Sequence, residues 1–107
     1  MINKSGSKLL ANYLQALAHP LRVEILEILK DKNRLCVCEL VRILKRDQSI
    51  ISRHLNTLRQ AGILDYKEEG TRSLHSVKNK EIYKILDKVK TILRKEIKQH
   101  KELLKAI

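Results

Sequence analysis

Gln48-Ser49-Ile50-Ile51-Ser52-Arg53-His54-Leu55-Asn56-Thr57-Leu58-Arg59-Gln60 is the stretch on which the fold turns. Ile51, His54, Leu55 and Leu58 recur at i, i+3, i+4 and i+7, the stripe of an amphipathic helix that turns one face to a core. The opposite side carries Gln48, Ser49, Ser52, Arg53 and Asn56. Short hydroxyl and amide side chains with a guanidinium are the chemistry that reads base edges and phosphates in a DNA major groove. Arg53 is the candidate for a base contact, because guanidinium to guanine is the commonest specific pairing. Ser49 and Ser52 suit phosphate or a base edge, and Gln48 sits where the free N–H groups of a helix start face phosphate. A plain solvated helix would show the same polar face, so the flanking segments decide between the two.

Upstream, Asp47 is placed to cap this helix, its carboxylate accepting from the first free N–H groups after a tight turn at Arg46-Asp47. Val37, Leu40, Val41 and Leu44 carry the helical period through a short preceding helix that ends around Arg46. Arg34 and Leu35 suit a short strand. Before them, Pro20 opens a helix bearing Leu21, Ile25, Ile28 and Leu29, which stops near Asp31 to Asn33, and Leu10, Tyr13, Leu14 and Leu17 mark a first helix. Downstream, Gly62 ends the central helix. Ile63, Leu64 and Tyr66, a turn at Glu69-Gly70, and Ser73 to Val77 then predict a β-hairpin. From about Asn79, the residues Ile82, Ile85, Leu86, Val89, Ile92, Leu93 and Ile97 recur at threes and fours as one long helix.

The fold class is therefore mainly α with a small β-hairpin: four helices, two strands and a fifth helix in the order of a winged helix-turn-helix, as one domain over residues 1–107. On the hairpin, Lys67 and Arg72 flank the tip and are candidates for backbone phosphate or the adjacent minor groove, opposed at close range by Glu68 and Glu69. The last helix is too long to lay its whole apolar stripe on so small a domain, and the first helix offers a second stripe. Pairing of two copies through the first and fifth helices is the simplest solution.

Charge and composition narrow the partner. The 107 residues hold 23 Lys and Arg against 12 Asp and Glu, a net charge of +11, which favours a polyanion. Three tyrosines, with neither Trp nor Phe, leave little for stacking on single-stranded bases, so double-stranded DNA is the expected partner. No run approaches the ~20 apolar residues of a membrane span, and the polar Met1–Ser7 is unlike a signal peptide, so no membrane role and a cytoplasmic location are expected. Two cysteines so near each other do not make a disulfide framework, in keeping with a reducing compartment.

Those cysteines, Cys36 and Cys38, open the third helix. On a regular helix positions i and i+2 point about 200° apart, so their sulfurs could share an ion only at an irregular first turn. A helix N-terminus stabilises thiolate through its free N–H groups, and thiolates select soft species such as As(III), Sb(III), Cd(II), Pb(II), Cu(I) or Zn(II). Three alternatives stand beside soft-metal sensing: inert buried cysteines, thiol redox or persulfide sensing, and a thiol enzyme. An i, i+2 pair closes a strained ring at best, which directs redox sensing to an intersubunit bond or a modified thiol. The enzyme lacks support, because the chain has no Cys-x-x-Cys, Gly-rich phosphate loop or Cys, His and carboxylate constellation. A constitutive architectural DNA binder, favoured by the high charge alone, would show little sequence preference and a steep salt dependence. Of the histidines, His54 is expected as a hydrogen-bonded core residue, His19 as a turn residue beside the second helix's cap, and His75 as structural.

Four segments together, Leu17-Ala18-His19-Pro20-Leu21-Arg22 with Ile25-Leu26, Leu35-Cys36-Val37-Cys38-Glu39-Leu40, Gln48 to Leu55, and Leu58-Arg59-Gln60-Ala61-Gly62-Ile63, resemble the ArsR/SmtB family of repressors over roughly residues 10–77. The resemblance implies a homodimer through the first and fifth helices, bound to a palindromic operator when ligand-free and released by an inducer. Two recognition helices related by a two-fold axis would enter successive major grooves about 34 Å apart. It also implies Cys36 and Cys38 as metal or metalloid ligands with As(III) or Sb(III) as inducer. The family's arsenic site resembles Cys-Val-Cys-Asp-Leu-Cys, and Val41 stands at its third cysteine. A second family site across the last helices is matched only by Asp87 and His100, with Val89 and Leu103 at its other two positions.

Overall fold

The computed structural model describes residues 1–106, which form five helices and a three-stranded antiparallel sheet in the order α1 (Lys4–Leu17), α2 (Pro20–Lys32), β1 (Leu35–Cys36), α3 (Val37–Leu44), α4 (Gln48–Gln60), β2 (Leu64–Glu69), β3 (Arg72–Val77) and α5 (Ile82–Lys105). Local chemistry sets most boundaries. Asn3 caps α1 by accepting from Gly6 N at 2.8 Å. That places the helix start well before the first residue of the apolar stripe. His19 Nδ1 accepts from Leu21 N at 3.1 Å, capping α2 just ahead of Pro20, whose missing N–H is no loss in a first turn. Lys45 turns the chain out of α3 in the left-handed conformation, φ 54°, one turn short of α4. Gly62 takes φ +79° after α4, a value that costs a residue without Cβ little.

Two expectations need correction. Asp47 does stand at the N-cap of α4, but its carboxylate makes no capping hydrogen bond. The backbone carbonyl of Asp47 instead accepts from Ile50 and Ile51 N at 3.1 Å. The hairpin is also not alone, because β1 joins it to give the order β1-β3-β2, with Leu35 opposite His75 and Cys36 opposite Leu74. A two-residue strand has no periodicity of its own to read. Its pairing comes from the way α2 and α3 carry it alongside β3.

The core is built where α2, α3, α4 and the sheet meet. Ile25, Leu26, Leu40, Ile51, Leu58 and Ile63 are essentially sealed from solvent. All four stripe residues of α4, His54 included, are buried, while Gln48, Ser49, Ser52, Arg53 and Asn56 are exposed. The long helix behaves differently. Its root is held by buried Ile82, by Tyr83 Oη donating to Leu26 O at 2.6 Å, and by an ion pair between Lys90 and Glu27. Burial, reinforced by Glu27 and Asp31, pushes the Tyr83 hydroxyl up to about 12. Beyond that root, Val89, Ile92, Leu93 and Ile97 stay exposed, as do Leu10 and Leu14 of α1. Leu14, Leu17, Ile85, Val89 and Leu93 line an apolar groove where α1 and α5 come together.

Candidate nucleic-acid interface and thiol turn

The polar face of α4 is set by phase alone. With Ile51, Leu55 and Leu58 buried under the helix, the residues offset from them by half a turn must face outward. Five candidate DNA contacts thus share one exposed surface: Gln48, Ser49, Ser52, Arg53 and Asn56. His54, on the inner side, accepts at Nδ1 from Arg22 Nη1 at 3.2 Å and lies 4.3 Å from the His19 ring. Burial, then the positive charges around it, holds its imidazole below the ordinary value, so it is a neutral acceptor that fixes α4 to α2. His75 is also buried and held below its ordinary value, by burial first and then by Arg59. It stacks on Tyr66 across the β2–β3 pair, with ring centroids 6.0 Å apart.

The two wing candidates part company. Lys67, on β2, is exposed. Arg72, at the start of β3, donates through Nη2 to Glu39 Oε1 at 2.8 Å. That carboxylate oxygen also accepts from Cys36 N at 3.2 Å, while Glu39 N donates to Cys36 Sγ at 3.3 Å. Cys36 and Glu39 therefore form a capping box in which a sulfur replaces the usual hydroxyl. The spacing Cys36-x-x-Glu39 carried this signal in the sequence. The Arg72 partner, 33 residues away, did not.

Cys36 is buried and Cys38 exposed, and the two sulfurs are joined, with Cα atoms 5.4 Å apart. This corrects the expectation that directed oxidation to an intersubunit bond or a modified thiol. Cys36 is the N-cap, with extended φ −82° and ψ 165°, so the 200° separation of helical i and i+2 positions does not apply to it. Val41 is half-buried on the same helix and brings no donor. Among the described residues no group of three His, Cys, Asp or Glu side chains is arranged to hold a metal ion. Asp87 and His100 stand 13 positions apart on α5, about 20 Å along one helix axis, so one protomer cannot bring them to a shared ion.

Arg59 was not among the sequence candidates. Its Nη2 donates to Asn56 Oδ1 at 2.7 Å, and its guanidinium lies 4.5 Å from the centroid of the Tyr66 ring, so it bridges α4 and the wing.

The family model for bacterial regulatory proteins of the arsR family matches residues 19–66, from the cap of α2 into β2. A helix-turn-helix transcriptional regulator of Methanocaldococcus jannaschii is 37% identical over 82 residues, 74% of this chain and 92% of that one. The arsenical resistance operon repressor of Bacillus subtilis is 33% identical over 88 residues, covering 79% of this chain and 84% of its own length. Among solved structures, a Mycobacterium tuberculosis protein superposes with a TM-score of 0.78 at 28% identity, over 88% of this chain and 94% of that one. No described helix is long and apolar enough to cross a membrane.

Proposed function

From the premise that the chain belongs to the ArsR family of bacterial transcriptional regulators, we propose that it is a homodimeric repressor of double-stranded operator DNA, released when a thiophilic inducer engages Cys36 and Cys38. As(III) or Sb(III) is the inducer of first choice, ahead of other soft metals. The observation that carries this reading is the wiring of the thiol turn. One carboxylate, Glu39, serves the cap of α3 on one side and Arg72 of the wing on the other. Cys36 also pairs with β3 through Leu74.

The donor set suits a two-sulfur chelate, because both cysteines belong to one turn, with Cα atoms 5.4 Å apart, and in the reduced chain a soft metalloid supplies a bridge between their thiolates. Its third coordination position falls to a solution thiol or hydroxide, since Val41 offers none. Cys36 Sγ accepts from Glu39 N even while bonded to Cys38, so an inducer acts on the cap by drawing Sγ out of that geometry rather than by occupying it. Losing an N-cap costs a helix about 0.5–2 kcal/mol. That is the size of a typical allosteric coupling, about 1–3 kcal/mol, and it is applied where α3 leads through Lys45-Arg46-Asp47 into the DNA-reading helix. The bare apolar faces of α1 and α5 support pairing of two copies, which sets two α4 helices on one operator.

A second reading is favoured by the joined sulfurs themselves: oxidation of the two thiols to the intramolecular disulfide, with two electrons and the two thiol protons passing to hydrogen peroxide, whose O–O bond breaks to give two waters. Titrating the reduced protein with As(III), Sb(III), Cd(II) and Cu(I), while following thiolate-to-metal absorbance and anisotropy of a labelled operator, separates the two. Release at one equivalent of a metal or metalloid supports chelation. Release by peroxide alone supports the disulfide, and release by neither contradicts thiol sensing.

A further inference from the structure

Between the exposed face of α4 and strand β3 lies a cavity of about 260 Å³ lined by Ser52, Asn56, Arg59, Ser73, His75 and Val37, among others. We propose that this cleft seats one phosphate of the DNA backbone, with Arg59 as its charged contact. The inference rests on the DNA-binding reading above and extends it to a residue outside the usual polar face of the recognition helix.

The lining is rich in donors, and among the described residues no carboxylate lines it. Arg59 is pre-oriented, because Asn56 Oδ1 takes one of its N–H groups and the Tyr66 ring supports its plane, leaving other guanidinium donors of the rigid fork free. The same hydrogen bond occupies the Asn56 oxygen and turns that side chain's remaining function toward its NH₂ donors. Ser52 and Ser73 add a hydroxyl from each wall. At one side of the cleft the His75 ring is 4% exposed, and its Nδ1 has no hydrogen-bond partner.

The position favours a backbone phosphate as that occupant. Ser52 and Asn56 belong to the face of α4 that enters a major groove, whereas Ser73 and His75 belong to the wing, which lies toward the neighbouring minor groove. The DNA strand dividing those grooves passes between the two elements, and its phosphates are the groups it presents there. A free phosphate-bearing molecule shares the chemistry and is the competing source.

The test uses the full reduced chain, a duplex selected by the protein and a scrambled duplex, with anisotropy measured over a series of salt concentrations. Arg59→Gln is expected to weaken binding to both duplexes by the same factor, about tenfold, and to lower the salt slope by about one. Arg59→Lys should restore the slope and part of the affinity, and circular dichroism checks that each variant is folded. Unchanged affinity in Arg59→Gln, while Arg53→Ala still weakens the selected duplex, overturns the seat and leaves the DNA interface standing. No effect of either variant breaks the DNA-interface reading itself. A loss confined to the selected duplex makes Arg59 a base reader and overturns the phosphate assignment. Shifts of the His75 ring nitrogens on adding inorganic phosphate to DNA-free protein, combined with unchanged DNA affinity in Arg59→Gln, assign the cleft to a free anion and overturn the DNA source.

Discussion

Helices α4 and α5 carry the same apolar period and meet opposite fates. Every stripe residue of α4 is buried in its own chain, down to the hydrogen-bonded His54. On α5 only Ile82 is buried, Tyr83 and Leu86 are half-covered, and the apolar residues that follow remain exposed. Periodicity shows that a helix has an apolar face. It does not show which molecule covers it. The stripe of α4 is used up in the core, which holds the opposite, polar face outward and rigid, whereas the stripe of α5 stays open; on the reading proposed above, the first face meets DNA and the second a second copy.

The contrast is broken most strongly at α4. Leu55→Ala, deep in the core, is expected to cost about 2–5 kcal/mol in urea unfolding, with little dependence on protein concentration. An effect as small as that of an exposed substitution would mean that α4 is not anchored as described. Leu93→Glu, on the bare part of α5, should leave the secondary structure intact and turn a dimer into a monomer by light scattering. Because joining two binding modules raises avidity by about 10²–10⁴, operator affinity should fall on the order of a hundredfold. A dimer that survives Leu93→Glu would move the interface elsewhere.

A smaller effect sharpens the boundary between the two halves of α5. Tyr83→Phe removes the hydrogen bond to Leu26 O and should cost about 0.5–1.5 kcal/mol in thermal or urea unfolding, without changing the oligomeric state at micromolar concentration. Loss of the dimer in this variant would show that the root and the free stripe act as one unit.

The smallest expected effect concerns pH. His54 and His75 both titrate below 6.5 in the folded chain, chiefly because burial disfavours their charged forms. The unfolded chain then binds protons first, so the stability they contribute is fully present above about pH 6.5 and is lost as pH falls through the folded values. Urea midpoints from pH 7.5 to 5 should decline over that window, and His54→Gln should flatten part of the decline. A midpoint that rises on acidification would contradict the assigned direction.

What the sequence disclosed, and what it withheld, follows from the range of the interactions. Helix phase is local, so the inward set of Ile51, His54, Leu55 and Leu58 and the outward set beginning with Gln48 were legible, and so were the stops at Asn33 and Gly62. The start of α1 was not, because Asn3 caps a first turn with no apolar stripe. Asp47 has the right chemistry and position for a cap, yet its backbone supplies the acceptor instead. A short strand was expected at Arg34-Leu35 and lies one residue further on, at Leu35–Cys36, but its pairing with β3 was not visible. The link from Cys36 through Glu39 to Arg72 joins residues that are distant in sequence, and the position of Arg59 over Tyr66 depends on how the wing folds back on α4. The thiol pair was visible as chemistry, but the meeting of its sulfurs depended on Cys36 lying outside the helix.

The most direct test of the account compares the reduced wild-type chain with Cys36→Ser/Cys38→Ser on one selected duplex, by anisotropy, with and without stoichiometric arsenite. The account predicts equal DNA affinity for the two proteins without arsenite, and release by arsenite from the wild type alone. Wild-type binding that persists unchanged in saturating arsenite, antimonite and peroxide would contradict it.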